Sequence, residues 1–381
     1  MAFFKRISKI FLICLTCFLI VNSISVSYIV QKYSYADALC SGKSMLVMES
    51  NSKRVLYSKN MNVKLPMAST TKVITALTVI INCTNLNEII RINDKAVGVE
   101  GSSIYLKRGE NISVIDLLYG LMLSSGNDSA TALAYHVGGS IEGFASLMNN
   151  LAEKLGAVNS HFVNPHGLDN PEHYTTAYDL ALISSYAINN DTFREIVSTR
   201  QKRIGEGDNI RLVVNKNKLL KSLDGAIGIK TGFTKRAGRC LVSAAERNGM
   251  RIVCVVLCCG PMFEESAVLI NKAFLEFQNY EVLPPYQYIT TIPVENGQKD
   301  EVYVYSVKSF NYPIKDEENI NINVIYDMPN KLIAPVEKNE IIGEIKVFYE
   351  NHLIFSEKIY SMEEINTINI LSGFEKIVKK W

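Results

Sequence analysis

The sequence predicts an α+β fold, an antiparallel sheet packed against a helical cluster, followed by a small all-β domain and a C-terminal amphipathic helix. Three observations predict it. Strand-like apolar runs stand at both ends of the stretch from about residue 40 to 280, helical periodicity fills its middle, and beyond Leu283-Pro284-Pro285 only short alternating runs remain. At 381 residues the chain is long enough for two cores, and 48% hydrophobic with 20% charged residues is ordinary for a globular protein. The 40 basic residues are matched by 38 acidic ones, so charge makes no case for a nucleic-acid partner.

The elements follow in order. Lys5, Arg6 and Lys9 precede an uncharged apolar run from Ile10 to Val21, and Ala36-Asp37-Ala38 offers small residues for cleavage, so residues 1–38 read as a signal peptide. Continued to Val30, the same run suits an uncleaved anchor, and either reading exports the chain. Leu39 before Cys40 argues against a lipoprotein signal. Ser44 to Glu49 and Val55 to Ser58 form a hairpin around Asn51-Ser52, and Val73 to Ile81 is a buried helix. Val114 to about Gly156 is helical, with breaks at Ser124 to Asn127 and at Gly138-Gly139. Asn164 to Tyr174 is a loop, and Tyr178 to Ile188 is again helical. Ala226 to Ile229, Cys240 to Ala245 and Arg251 to Cys258 are strands, the last two joined across Arg247-Asn248-Gly249, and a helix runs from about Glu264 to Phe277.

Residues 39–282 are therefore expected as one domain and 283–361 as the β-rich one, with strands at Val302 to Val307, Ile320 to Ile325, Ile341 to Phe348 and Leu353 to Ile359. Residues 362–381 close the chain as an amphipathic helix. Ile370, Leu371, Phe374, Ile377, Val378 and Trp381 share one face, opposite Glu375, Lys376, Lys379 and Lys380. That pattern suits an anchor lying in a membrane interface, or a helix packed on its own β domain. Of eight cysteines, Cys14 and Cys17 lie in the signal. The other six show no zinc-site spacing and no small disulfide framework, so no metal is expected, and unpaired thiols would suit surroundings poor in oxidant.

Three short motifs carry chemistry. Ser69-x-x-Lys72 places a hydroxyl and an amine on one helical face, where a neutral lysine can take the serine proton. A second copy, Ser50-x-x-Lys53, sits in the polar turn of the hairpin, and only Ser69 opens an apolar helix. Ser125-Gly126-Asn127 offers a hydroxyl to pass a proton towards a leaving group and an amide to hold a substrate backbone. Lys230-Thr231-Gly232, ending a strand-like run, offers two groups for a carboxylate and a glycine beside which substrate can lie close. Each motif alone is weak; the ordered set is the signature of penicillin-binding proteins and class A β-lactamases.

With Pro66-Met67-Ala68 before the first motif, Asp128 after the second, Asn164-Pro165-His166-Gly167-Leu168, His173-Tyr174-x-Thr176-Ala177-x-Asp179, and Phe233-Thr234 with Ala237-Gly238 after the third, the chain resembles the low-molecular-mass D-alanyl-D-alanine carboxypeptidases. The resemblance is strongest from about residue 40 to 280. It implies a β-lactamase/DD-peptidase-like fold and catalysis by Ser69, Lys72 and Ser125. Asn127, Lys230, Thr231, Gly232 and Phe233 would bind substrate, with the N–H groups of Ser69 and Phe233 as oxyanion hole. It implies a peptidoglycan stem peptide as substrate, β-lactam antibiotics as inhibitors, no cofactor, and a place at the outer face of a bacterial membrane.

One departure bears on substrate binding. Many relatives have an arginine for the substrate carboxylate just after the last core strand, and Gly260 to Ser266 has none. His166 and His173 are expected to serve structure or to lie near substrate, since Lys72 already supplies the base. A β-lactamase is disfavoured by the 164–174 loop and by the second domain. A non-catalytic penicillin sensor stays open on account of the absent arginine.

Overall fold

The computed structural model describes residues 40–316, 318 and 321–369. The chain divides into two compact units. The first comprises the chain up to Arg247 with Arg251–Ala273, the second Asn248–Met250 and the chain from Phe274.

The first unit is built on a five-stranded antiparallel sheet. Its strands are β1 (Ser44–Glu49), β2 (Val55–Lys59), β7 (Ala226–Thr234), β8 (Gly238–Arg247) and β9 (Met250–Leu257), in the order β2-β1-β9-β8-β7. The first and last strands of this unit thus pair directly, from Ser44 opposite Leu257 to Glu49 opposite Ile252. The β8–β9 turn has Asn248 at φ 48 and Gly249 at φ 74, the left-handed pair that an Asn-Gly hairpin demands. β7 runs through Thr234, so the third motif lies within a strand rather than at its end. The apolar run stops at Ile229 because Thr231 and Phe233 are left partly or largely exposed. Among the described residues β7 is also an edge strand, paired only with β8.

Helices fill the sequence between these strands, and one follows the last of them. They are α1 (Lys72–Asn82), α2 (Val114–Leu123), α3 (Asn127–Gly138), α4 (Ile141–Lys154), α5 (Ala177–Ala187), α6 (Asp191–Ser198), α7 (Leu219–Ser222) and α8 (Met262–Glu276). Lys72 to Val79 of α1 are all buried, which suits a helix surrounded by others, and α2 to α5 pack around it. Ser113, Ser140, Thr176 and Asn190 cap α2, α4, α5 and α6, each side chain accepting a backbone N–H of the first turn. Two hairpins complete the unit, β3 (Ile89–Arg91) with β4 (Asn111–Ser113) and β5 (Gln201–Ile204) with β6 (Arg211–Val214).

The second unit is all β. Strands β10 (Phe277–Leu283) and β13 (Phe310–Lys315) pair with each other. A six-stranded sheet has the order β14-β16-β17-β12-β11-β15, built from β11 (Tyr288–Glu295), β12 (Glu301–Tyr305), β14 (Ile322–Asp327), β15 (Leu332–Ile333), β16 (Ile341–Tyr349) and β17 (His352–Ser361). Val302, Val304, Ile345, Val347 and Ile359 form its core, with Phe310 stacked on Phe355 at 4.3 Å between ring centres. By contact, then, this unit starts ahead of Leu283-Pro284-Pro285, because the strand before those prolines pairs with β13.

Residues 362–369 are not helical. Ile365 bridges to Val336, Thr367 to Gly297, and Ile365 is buried, so the expected terminal helix cannot begin at 362. Its remainder, and the signal segment, lie outside the described residues. No described helix is long and apolar enough to cross a membrane.

Candidate active site

Ser69 lies in a tight turn, Ala68–Thr71, that runs straight into α1. The turn is tied to itself and to the 164–174 loop. Thr70 Oγ1 donates to the Met67 carbonyl at 2.7 Å and Thr71 Oγ1 to that of Ala68 at 2.8 Å. His173 stands behind it. The Val163 N–H donates to Nδ1 at 3.1 Å, which leaves the proton on Nε2, 2.8 Å from Thr71 Oγ1. Burial, followed by nearby His161 and Lys72, lowers the His173 pKa to about 4, so this relay holds with a neutral ring. The loop is fastened again where Thr75 Oγ1, one turn along α1, donates to the Pro165 carbonyl at 2.7 Å.

Lys72 is fully buried, and its Nζ has three oxygens around it: Ser69 Oγ at 3.0 Å, Asn127 Oδ1 at 2.7 Å and the His166 carbonyl at 2.6 Å. Burial pushes its pKa well below the usual lysine value, and the charges of Lys230 and Lys216 push the same way against Asp128. A neutral amine has two hydrogens and one lone pair. The Asn127 and His166 oxygens can only accept, so they take the hydrogens. The lone pair is left for the one neighbour with a proton to give, the Ser69 hydroxyl. That arrangement is a general base aimed at a nucleophile.

Asn127 opens α3 and is oriented from its far side, where Nδ2 donates to the Glu100 carbonyl at 2.5 Å. Its own N–H donates to the Ser102 carbonyl at 2.7 Å. Beside it, buried Asp128 gathers the next stretch, accepting from Ser103 Oγ at 2.6 Å and from the N–H groups of Ile104 and Leu106 at about 3 Å. The segment 100–106 is thereby clamped to α3 as one wall of the site. Ser125 precedes this wall at φ 64, a left-handed conformation that costs a serine roughly 1 kcal/mol or more.

The opposite wall is β7. Ser69, Ser102, Ser125, Lys216, Thr231, Gly232, Phe233, Met262 and Phe263 line one cleft of roughly 300 Å3. Gly232 allows the approach: a Cβ there would stand 2.9 Å from the Met67 carbonyl oxygen and 3.1 Å from Ser69 N. Strand and turn can therefore press backbone to backbone, with Ser69 and Phe233 bordering the same space. The Phe233 side chain is 64% exposed. Thr234 Oγ1 reaches across to Asp169 Oδ1 at 2.9 Å. Lys230 is buried to 2% exposure, and burial with the Lys216 charge lowers its pKa to about 7.

The structure thus brings Ser69, Lys72, Ser125, Asn127, Lys230, Thr231, Gly232 and Phe233 to one place. Asn127 turns its amide oxygen towards Lys72. Sequence reasoning missed Lys216, whose Nζ donates to Ser102 Oγ at 3.2 Å beside Thr231. It supplies a cation at the cleft that lacks the usual arginine. It also missed the clamp made by Asp128, which only the Asn-Asp order after the second motif could have suggested. The second SxxK copy is inert by geometry: Lys53 donates to the Ser50 carbonyl, and Ser50 Oγ is spent on the Ser185 carbonyl at 3.3 Å.

The chain has known relatives. Residues 31–259 match the family model described as D-alanyl-D-alanine carboxypeptidase, and residues 277–367 that of the penicillin-binding protein 5 C-terminal domain. The D-alanyl-D-alanine carboxypeptidase DacC of Escherichia coli is 32% identical over 338 residues, covering 85% of this chain and 84% of its own. DacF of Bacillus subtilis is 27% identical over 348 residues, 89% of this chain and 90% of its own. The solved structure of penicillin-binding protein 5 from Haemophilus influenzae superposes with a TM-score of 0.70 at 27% identity, over 86% of this chain and 98% of that one. Motifs, geometry and relatives converge, and the chain belongs to the D-alanyl-D-alanine carboxypeptidase family.

Proposed function

We propose that this protein is a serine-type D-Ala-D-Ala carboxypeptidase that removes the terminal D-alanine from peptidoglycan stem pentapeptides and is acylated by penicillins. One observation carries the reading: two acceptor-only oxygens hold the Lys72 amine so that its lone pair meets the Ser69 hydroxyl. Ser69 Oγ attacks the carbonyl between the two D-alanines while Lys72 takes its proton. The oxyanion forms against the N–H groups of Ser69 and Phe233. Ser125 passes a proton to the departing amine, and water then hydrolyses the ester on Ser69. An extended peptide suits the free edge of β7, with its terminal carboxylate between Thr231, Lys230 and Lys216. The family acts outside the cytoplasm, and we place this chain at the outer face of the cytoplasmic membrane, held there by its terminal amphipathic segment.

The test pairs two measurements on purified protein. Intact mass after penicillin should show one covalent adduct, lost in Ser69→Ala and kept in Ser50→Ala. A D-Ala-D-Ala peptide should release D-alanine. Adduct formation without any D-alanine would instead favour a penicillin sensor, and an adduct that survives Ser69→Ala would overturn the assignment of the nucleophile.

A further inference from the structure

Away from the cleft, two thiols that the chemistry does not use meet at the start of the catalytic unit. Cys40 and Cys259 are both buried, and their sulfurs lie within 4.8 Å of each other and of a Glu265 carboxylate oxygen. The reason is the register of β1 on β9. Ser44 is opposite Leu257, and the Lys43 N–H still donates to the Leu257 carbonyl at 3.1 Å, which sets Gly42 against Cys259. A Cβ on Gly42 would stand 3.0 Å from Cys259 Cβ and 3.2 Å from Cys40 Sγ. The two thiols therefore fall on either side of the space that this glycine leaves empty. The chain bends at Gly42 and Lys43, which turns Cys40 back over Gly42 towards Cys259. The Gly42 N–H donates to Cys40 Sγ at 3.4 Å and holds it there.

We propose that Cys40 and Cys259 form a disulfide that fastens the start of the catalytic unit to the end of β9. The two sulfurs already lie within 4.8 Å of each other, and a disulfide draws them to ~2.05 Å. The oxidant is a disulfide-bearing thiol compound, small or protein-borne. One cysteine thiolate attacks its S–S bond to give a mixed disulfide and releases one thiol. The second cysteine thiolate displaces the other, so the oxidant leaves as two thiols carrying the two cysteine protons. Glu265 Oε2 accepts from the Cys259 thiol and from the Ser41 N–H, both at 3.0 Å, and so holds the reduced thiol beside residues 40–42. Both sulfurs are shielded in the folded chain, so the bridge forms while the chain folds. It replaces the expectation of wholly unpaired thiols and leaves Cys83, Cys240, Cys254 and Cys258 reduced. Its position matters because Cys259 directly precedes the segment whose Met262 and Phe263 line the catalytic cleft.

The experiment is peptide mapping of the full chain, exported from its host, alkylated on harvest and digested without reductant. The expected result is the Cys40 peptide joined to the Cys259 peptide, lighter by two hydrogens than the reduced pair. Cys258→Ser should keep the link and Cys259→Ser abolish it. Reduction should lower the melting temperature of wild type by roughly 10 °C, given the length of chain enclosed, and leave Cys259→Ser unmoved. Recovery of both cysteines alkylated overturns the proposal, as does a link made through Cys258. So does one bound zinc ion per chain with both thiols unoxidised. The mapping on wild type needs no variant, so a substitution that fails to fold does not spoil it.

Discussion

Replacing Asn127 by aspartate changes almost no volume and tests whether a neutral Lys72 drives acylation. The wild-type amide oxygen is 2.7 Å from Lys72 Nζ, and the amide nitrogen gives its hydrogen to Glu100 across 2.5 Å. The Asn127→Asp substitution would set a carboxylate against both. An opposite charge at this range raises a lysine pKa by about 1–3 units, and here the pair is fully buried, so about 2–3 units is expected. That is on the order of 3–4 kcal/mol in favour of the ammonium. The sign is unambiguous: the carboxylate stabilises the protonated amine, so the base appears only at higher pH. The rate of acylation by penicillin, followed by intact mass from pH 5 to 10, should show its acid limb moved up by about 2–3 pH units. On the acid side of both limbs this lowers the rate by roughly 100- to 1000-fold, and the two profiles converge in alkali. Asn127→Ala serves as control, since losing the acceptor lowers the plateau without adding a charge. An Asn127→Asp profile whose acid limb coincides with wild type would refute the argument, whatever its amplitude.

Three other perturbations have signed outcomes. Lys216→Ala removes a cation that depresses both Lys72 and Lys230, so the acid limb should rise by up to about one unit. The KM for a D-Ala-D-Ala peptide should increase about tenfold through the lost charge on its carboxylate, measured as D-alanine release. Gly232→Ala puts a Cβ 2.9 Å from the Met67 carbonyl oxygen and must part β7 from the Ser69 turn by a few tenths of an ångström. Acylation should slow by about 10- to 100-fold, a fraction of what losing an oxyanion donor costs, while thermal melting shifts little. Finally, His166 and His173 have folded-state pKa values lowered to about 3 and about 4 by burial first, against an ordinary 6.5. Above pH 6.5 both states are neutral and nothing is lost. Below it the unfolded chain takes up protons that the fold refuses, so stability falls as the pH drops towards 4. The His173 share is about 3 kcal/mol, which urea melts of wild type and His173→Gln at pH 7 and pH 4.5 would separate.

The sheet-and-helix order was legible because each element carried a local signal: the Asn-Gly turn before β9, the apolar run of α1, the Pro-, Gly- and Asn-rich loop at 164–174. What escaped lacked such a signal. β5 reads Gln-Lys-Arg-Ile with three exposed side chains, so no alternation marks it, and only its partner β6 makes it a strand. The end of β7 was hidden because the residues after Ile229 face a cleft, and a strand that lines a functional site gives up the apolar pattern that betrays strands. β10 stood next to two prolines that read as a boundary, whereas its pairing with β13, more than twenty residues on, cannot be seen locally. At the site, the three motifs named the reacting side chains but not what makes them competent. Lys72 depends on a carbonyl 94 positions away and an amide 55 positions away, a convergence that no spacing rule encodes.

That convergence also explains how one small cleft keeps three lysines. Each disfavours the others' protons: Lys216 and Lys230 bear on Lys72, and Lys216 bears on Lys230. Before substrate arrives, the cleft relieves the repulsion by shedding charge from the buried amines. A substrate carboxylate reverses the balance for the two lysines that can meet it, Lys216 beside Thr231 and Lys230 on the same strand, because a negative charge favours their protonated forms. Lys72 is set apart by geometry. Its two N–H bonds are already committed to Asn127 and His166, and Ser69 stands between it and the open cleft. Substrate binding can therefore charge Lys230, whose pKa of about 7 leaves it half-titrated at neutrality, while Lys72 stays the base. A carboxylate at the end of the peptide thus serves as more than a handle. The proton it draws onto Lys230 opposes one on Lys72, so the base stays free while the scissile bond lies over Ser69.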